Sequence, residues 1–186
     1  MQRAARREQH KAYNASAKGN ARTKRRGESS AHKTRVKRLV DTAYLSRPFI
    51  AVDGEGWNNA HGEHVYTQLA FMSSADNEYH AIEDHNGLST RRSLEWLLRA
   101  AVLNPNGIMV CYGAGYDINM ILKDFPEKVL RSITEREYTR IGPYRISWRA
   151  GKYLQVKHLK RNTSFRLYDV VSFFQNTFVR ACDEYL

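Results

Sequence analysis

The first 44 residues carry almost no large apolar side chains, so any hydrophobic core has to be assembled from residues 45–186. Charge divides at the same place. Residues 1–44 hold 13 Lys/Arg against 3 Asp/Glu, a balance of +10, whereas residues 45–186 hold 17 against 16. The chain therefore reads as a basic arm, residues 1–44, joined to a nearly neutral domain, residues 45–186. An arm of this composition cannot repay the entropy of ordering by itself, and it is expected to be disordered unless something binds it. It would attract a nucleic-acid backbone by counterion release, with an affinity that falls steeply with salt. A solvated tail with no dedicated partner is the alternative reading of the same residues, and nucleic acid is the expected partner.

The remaining length is enough for a sizeable core. Cys111 and Cys182 are too few and too far apart for a disulfide framework or a zinc site, and are expected to be buried, reduced thiols of an intracellular protein. No apolar run approaches the ~20 residues of a membrane span. The N-terminus is positive but lacks the apolar stretch of a secretory signal. Residues 1–40 share the Arg-rich, acid-poor composition of a mitochondrial presequence but little of its amphipathic order. A cytoplasmic location is the expectation.

Hydrophobic periodicity orders the domain. Phe49 to Asp53 predicts a buried first strand, and Val65 to Met72 and Tyr79 to Glu83 predict two more around the polar turn Ser73 to Asn77. Ser89 caps a helix with Leu94, Leu97, Leu98, Ala101 and Val102 at helical spacing, ended by Asn104-Pro105-Asn106-Gly107. Ile108 to Cys111 is a fourth, fully buried strand. Ile118, Ile121, Leu122 and Phe125 mark one short helix, and Val129, Leu130 and Ile133 another that starts at Pro126. Tyr144 to Trp148 and Tyr153 to His158 form a hairpin around Ala150-Gly151-Lys152, Phe165 to Val171 a further strand, and Phe174, Phe178, Val179 and Cys182 suggest a closing helix that reaches the last residue. This order predicts an α/β fold: a mixed sheet with flanking helices and an added β-hairpin, compatible with a ribonuclease H-like architecture.

Asp53-Gly54-Glu55 ends the first strand. Side chains two apart on a strand share a face, so the two carboxylates project together and repel unless a cation lies between them. Hard divalent ions such as Mg²⁺ favour oxygen donors of this kind. Gly54 keeps the position between them small, leaving room for a nucleotide or metal to approach the backbone. Asp117 follows a buried strand and the Gly113-Ala114-Gly115 bend, where it would either cap the next helix or present a third carboxylate toward the first two. A two-metal site acting on a phosphodiester commonly draws its carboxylates from separate elements, as these would be.

As a set these residues resemble a known family. Phe49-Ile50-Ala51-Val52-Asp53-Gly54-Glu55-Gly56 is similar to the first exonuclease motif of family B DNA polymerases, and Tyr116-Asp117-Ile118-Asn119-Met120-Ile121-Leu122 to the second. Tyr168-Asp169 through Gln175, with Thr177-Phe178, resembles the stretch between the second and third motifs. The resemblance spans about residues 48–186 and points to polymerases of phage type. It implies a ribonuclease H-like 3′→5′ proofreading exonuclease that hydrolyses 3′-terminal nucleotides with two Mg²⁺ or Mn²⁺ ions. Asp53, Glu55 and Asp117 would be catalytic and metal-ligating, with Tyr116 beside them. Thr177 and Phe178 would touch the frayed single-stranded 3′ end of the DNA. A phage origin would place the protein in the host cytoplasm.

The chain departs from the family at two points. Tyr112 and Gly113 occupy the region where an Asn precedes the aromatic-Asp pair, and neither a third motif nor a polymerase palm follows. The expectation is an N-terminal fragment of a longer polymerase or a truncated gene product, weak or inactive alone. Trp57 and Lys152 are further candidates for the substrate cleft, with Trp148 and Tyr153 near the same hairpin. Asp169 is expected to make a salt bridge or to lie near the metals, and His61, His64, His80 and His85 to be surface or hairpin histidines. Two other functions fit the same residues: a catalytically silent DNA-binding module of this fold, or a ribonuclease H-like exonuclease acting on RNA ends.

Overall fold

The computed structural model describes residues 47–174 and 177–185, with the side chains of residues 184 and 185 excepted. The basic arm lies outside the described residues, and a compact unit begins at Arg47. Its strands are β1 Phe49–Asn58, β2 His64–Ser73, β3 Tyr79–Glu83, β4 Ile108–Cys111, β5 Thr139–Ile141, β6 Tyr144–Arg149, β7 Tyr153–His158 and β8 Thr163–Asp169. Its helices are α1 Thr90–Leu103, α2 Gly115–Leu122, α3 Glu127–Glu135, α4 Val171–Phe174 and α5 Phe178–Tyr185.

All eight strands join one sheet in the order β3-β2-β1-β4-β8-β7-β6-β5. Strands β1, β4 and β8 run parallel, and the other neighbours are antiparallel. The mixed α/β sheet with flanking helices and an added hairpin is the class expected from periodicity.

Cross-strand partners share a face, so the register separates the two sides of the sheet. Ile50 lies opposite Met109, Met109 opposite Leu167, and Leu167 opposite Leu154. These four are almost wholly buried. Helix α1 packs across β8, α2 packs beside α1, and α3 packs against β6. Ser89 caps α1 as expected, its Oγ accepting from Arg92 N at 3.3 Å. Leu94, Leu97 and Leu98 face the sheet from that helix. The other face carries Phe49, Ala51, Met72 and Tyr168 and is open among the described residues, with Phe49 50% and Met72 43% exposed.

Strand β1 runs on to Asn58, past the expected end at Asp53, and β4 buries only Met109 and Cys111 fully instead of all four residues. Three other differences from expectation have physical causes. Strand β5 is only three residues long and pairs at the sheet edge, too short to show a period. Strand β8 spans residues 163–169, not 165–171, because Asp169 Oδ1 accepts from Val171 N at 3.1 Å and turns the chain. The single closing helix is instead two short ones, α4 and α5, the second started by Thr177, whose Oγ1 accepts from Arg180 N at 3.4 Å. Among the described residues no helix is long and apolar enough to cross a membrane.

Glu95 of α1 fastens the helix to the distal strands. Its carboxylate accepts from Arg161 at 2.5 Å and from the Tyr144 hydroxyl at 2.5 Å. The Arg161 bond holds its pKa below the ordinary glutamate value. A pKa depressed by folding stabilises the folded state above the unfolded pKa, and that contribution fades as pH falls through the depressed value. Glu95→Gln is therefore expected to cost about 1 kcal/mol at pH 7, read from urea midpoints, and to cost less at a pH below the ordinary glutamate value. An equal cost at both pH values would contradict the assignment.

Candidate functional site

The three parallel strands end together, and their carboxyl ends carry most of the residues singled out by the sequence. In open α/β sheets this edge is where ligands bind. Asp53 and Glu55 stand on the exposed face of β1, opposite Ala70 and Gln68 of β2. A bulge between Glu55 and Gly56 then shifts the register. The pairing of Asp53 with Glu55 on one face is as expected.

Asp117 lies in the first turn of α2 and is 4% exposed. It is not the cap, a place held by Ala114. Its Oδ1 accepts from the Tyr66 hydroxyl at 2.9 Å, and its Oδ2 accepts from the Cys111 thiol at 3.3 Å. Desolvation raises the Asp117 pKa, an effect the Tyr66 and Cys111 bonds oppose and the charge on Asp53 adds to. Burial likewise raises the pKa of Tyr66 and of Cys111, both facing the same carboxylate.

Gly54 explains why these groups can meet. A Cβ at position 54 would collide with the Tyr66 hydroxyl and lie 2.7 Å from Asp117 Oδ1. The expectation that Gly54 opens space for a nucleotide or metal is thus replaced: Tyr66 and Asp117 fill that space. Residue 54 points to the face of β1 opposite to Asp53 and Glu55. Asp117 is therefore near the pair, close enough to feel the Asp53 charge, yet its carboxylate is directed to the buried side. Among the described residues, no group of three or more His, Cys, Asp or Glu side chains could hold a metal ion. The residues as arranged do not fit a three-carboxylate, two-ion centre. The Asp53–Glu55 pair alone offers the hard oxygen donors that a single divalent cation accepts.

Tyr116 covers the end of β1. Its hydroxyl meets His64 Nε2 at 2.6 Å, and His64 Nδ1 meets Asn58 Oδ1 at 2.9 Å. With Nδ1 donating to Asn58, Nε2 is the acceptor for Tyr116. Burial, then the charges of Asp117 and Glu55, raise the Tyr116 pKa. His64 is exposed, as expected of a surface histidine, but it also orients a site residue. No local motif marks that role, since the contact crosses 52 residues.

Asp169 makes no salt bridge among the described residues. Its Oδ1 accepts from Gly113 N at 3.2 Å as well as from Val171 N. It thus pins the bend at Gly113, whose φ of +69° suits glycine. The outer candidates spread more widely. Trp57 is 52% exposed beyond the bulge. Lys152 is exposed in the turn between β6 and β7. Thr177 is exposed, and Phe178, 61% exposed, sets its ring 5.2 Å from Tyr112. Cys111 is buried as expected, whereas Cys182 is only half-buried.

The buried triplet yields a stability prediction. Tyr66→Phe removes the hydroxyl from a buried acceptor and is expected to lower unfolding free energy by about 1–3 kcal/mol. In an Asp117→Asn background the same change should cost clearly less, since the two side chains share one interaction. Equal costs in both backgrounds, measured by urea unfolding, would contradict the contact.

No family model, no curated protein and no solved structure matches the chain.

Proposed function

We propose that this chain is the 3′→5′ exonuclease portion of a DNA polymerase of the family B kind, a ribonuclease H-like domain that removes nucleotides from single-stranded 3′ ends. The observation that carries the reading is the placement of Asp53 and Glu55 on one face of β1 at the edge where β1, β4 and β8 end, with Asp117 of α2 near enough to feel the Asp53 charge. The stretches that resemble the first two exonuclease motifs contain these same residues. Asp53 and Glu55 are the pair that would hold Mg²⁺ or Mn²⁺, and a bound divalent ion supplies charge neutralisation at a phosphodiester. Tyr116, fixed by His64 beside Glu55, is assigned to the end of the bound strand. Trp57, Lys152, Thr177 and Phe178 are assigned to its outer contacts. A mispaired terminus suits such an open edge because it costs less to unstack.

The hold of Tyr66 and Cys111 on Asp117 favours a second reading, in which the domain binds nucleic acid without cutting it. A 5′-labelled single-stranded oligonucleotide incubated with the chain separates the two. The exonuclease reading expects stepwise shortening from the 3′ end that needs Mg²⁺ or Mn²⁺ and falls to the EDTA background in Asp53→Ala. Undiminished cutting by Asp53→Ala overturns it. Binding without shortening under either ion supports the silent module, and shortening of a matched RNA alone moves the substrate to RNA.

A further inference from the structure

We propose that the open face of β6, β7 and β8 is a stacking platform for single-stranded nucleic acid, leading toward the Asp53–Glu55 pair. The near-neutral charge of residues 45–186 conceals a sharp division. Residues 139–168 contain eight Lys/Arg and no Asp/Glu. The register sets Arg145, Lys157 and Arg166 on the open face, and Arg140 lies opposite Arg145. None of these four forms an ion pair among the described residues. The half of that face nearer β3 carries Asp53, Glu55 and Glu83 instead. A polyanion is attracted to one half and repelled from the other unless a cation intervenes.

Aromatic rings stand among the cations. Tyr153 and Tyr168 are cross-strand partners whose ring centroids lie 6.3 Å apart at a steep angle. The Arg166 guanidinium sits 4.8 Å from the centre of the Tyr153 ring and 5.8 Å from that of Tyr168. Arg166 is further fixed by bonds to Gln155 Oε1 at 2.8 Å and to the Tyr168 hydroxyl at 3.3 Å. A guanidinium ordered on two rings, with no carboxylate beside it, is prepared for a phosphate at little entropic cost. Tyr168, 37% exposed, offers a surface on which a base stacks without sequence preference.

The platform is aligned with the acid pair. Tyr168 lies opposite Val110, and Val110 opposite Ala51, so two strand spacings, roughly 10 Å, separate Tyr168 from β1. Asp53 is the next residue on that face of β1. A strand stacked at Tyr168 and held by Arg166 is thus directed at Asp53 and Glu55. The proposal extends the exonuclease reading by saying where the strand lies, and the two fail separately: binding in EDTA tests the platform, while cation-dependent cutting tests the acids.

The test uses the full chain and fluorescein-labelled oligo(dT) and oligo(U), with anisotropy read in EDTA at low and high salt. High salt weakens the contribution of residues 1–44. The Arg166→Ala/Tyr168→Ala double variant is expected to weaken binding about tenfold or more at high salt, and Tyr168→Phe, which keeps the ring, by less than about twofold. A preference for one oligomer identifies the natural strand as DNA or RNA. A double variant that binds as the wild type does, or no binding of either oligomer by the wild type, overturns the proposal. Photocross-linking of wild-type chain to a bromodeoxyuridine oligomer gives a second readout that needs no substitution: adducts on Tyr153 or Tyr168 support the platform, and adducts confined to residues 1–46 overturn it.

Discussion

A carboxylate removed from water must be supplied with donors, and the way Asp117 meets that demand organises the centre of this domain. Its donors come from Tyr66 on β2 and Cys111 on β4, while the acid itself belongs to α2 and lies against β1. One side chain thereby links three strands and a helix. The arrangement also dictates glycine at position 54, because any side chain there would displace the Tyr66 hydroxyl. Asp169 acts in a comparable way one strand farther on, accepting two backbone N–H groups and fixing the bend that starts the approach to α2.

Around this buried anchor the sheet keeps two unlike faces. One is covered by α1, α2 and α3 and holds the core. The other is open among the described residues and divided by charge, acidic on β1 and β3 and basic on β5 to β8. The edge where β1, β4 and β8 end joins these features, since Asp53, Glu55, Tyr116 and Asp117 all gather there. A shallow, exposed acid pair beside a basic aromatic surface suits a flexible polymer laid across the sheet better than a small molecule held in a cavity.

Much of the fold was legible in the sequence because its signals are local. A short apolar run marks β1, a polar turn separates β2 from β3, the Ser89 cap and a 3.6-residue period mark α1, and alternation around the turn at Gly151 places β6 and β7. The errors fall where a distant partner decides the outcome. Val170 and Val171 extend an apolar run, but the Asp169 carboxylate turns the chain before them. The candidate site was legible in its residue types and not in their orientation. Asp53 and Glu55 share a face because strand geometry compels it, whereas the direction of Asp117 depends on Tyr66, 51 positions away. The basic face is visible in a 30-residue window and hidden in the charge of the whole domain.

If Asp53 and Glu55 form a cation-binding pair at the open edge of β1, the ion should be measurable without any substrate. Titration of the chain with Mn²⁺, followed by the loss of free-ion signal in electron paramagnetic resonance, tests this directly. The account predicts saturable Mn²⁺ binding that disappears in Asp53→Asn. Identical titrations for the wild type and Asp53→Asn would contradict it, and would leave the two acids as solvated charges at the end of a strand.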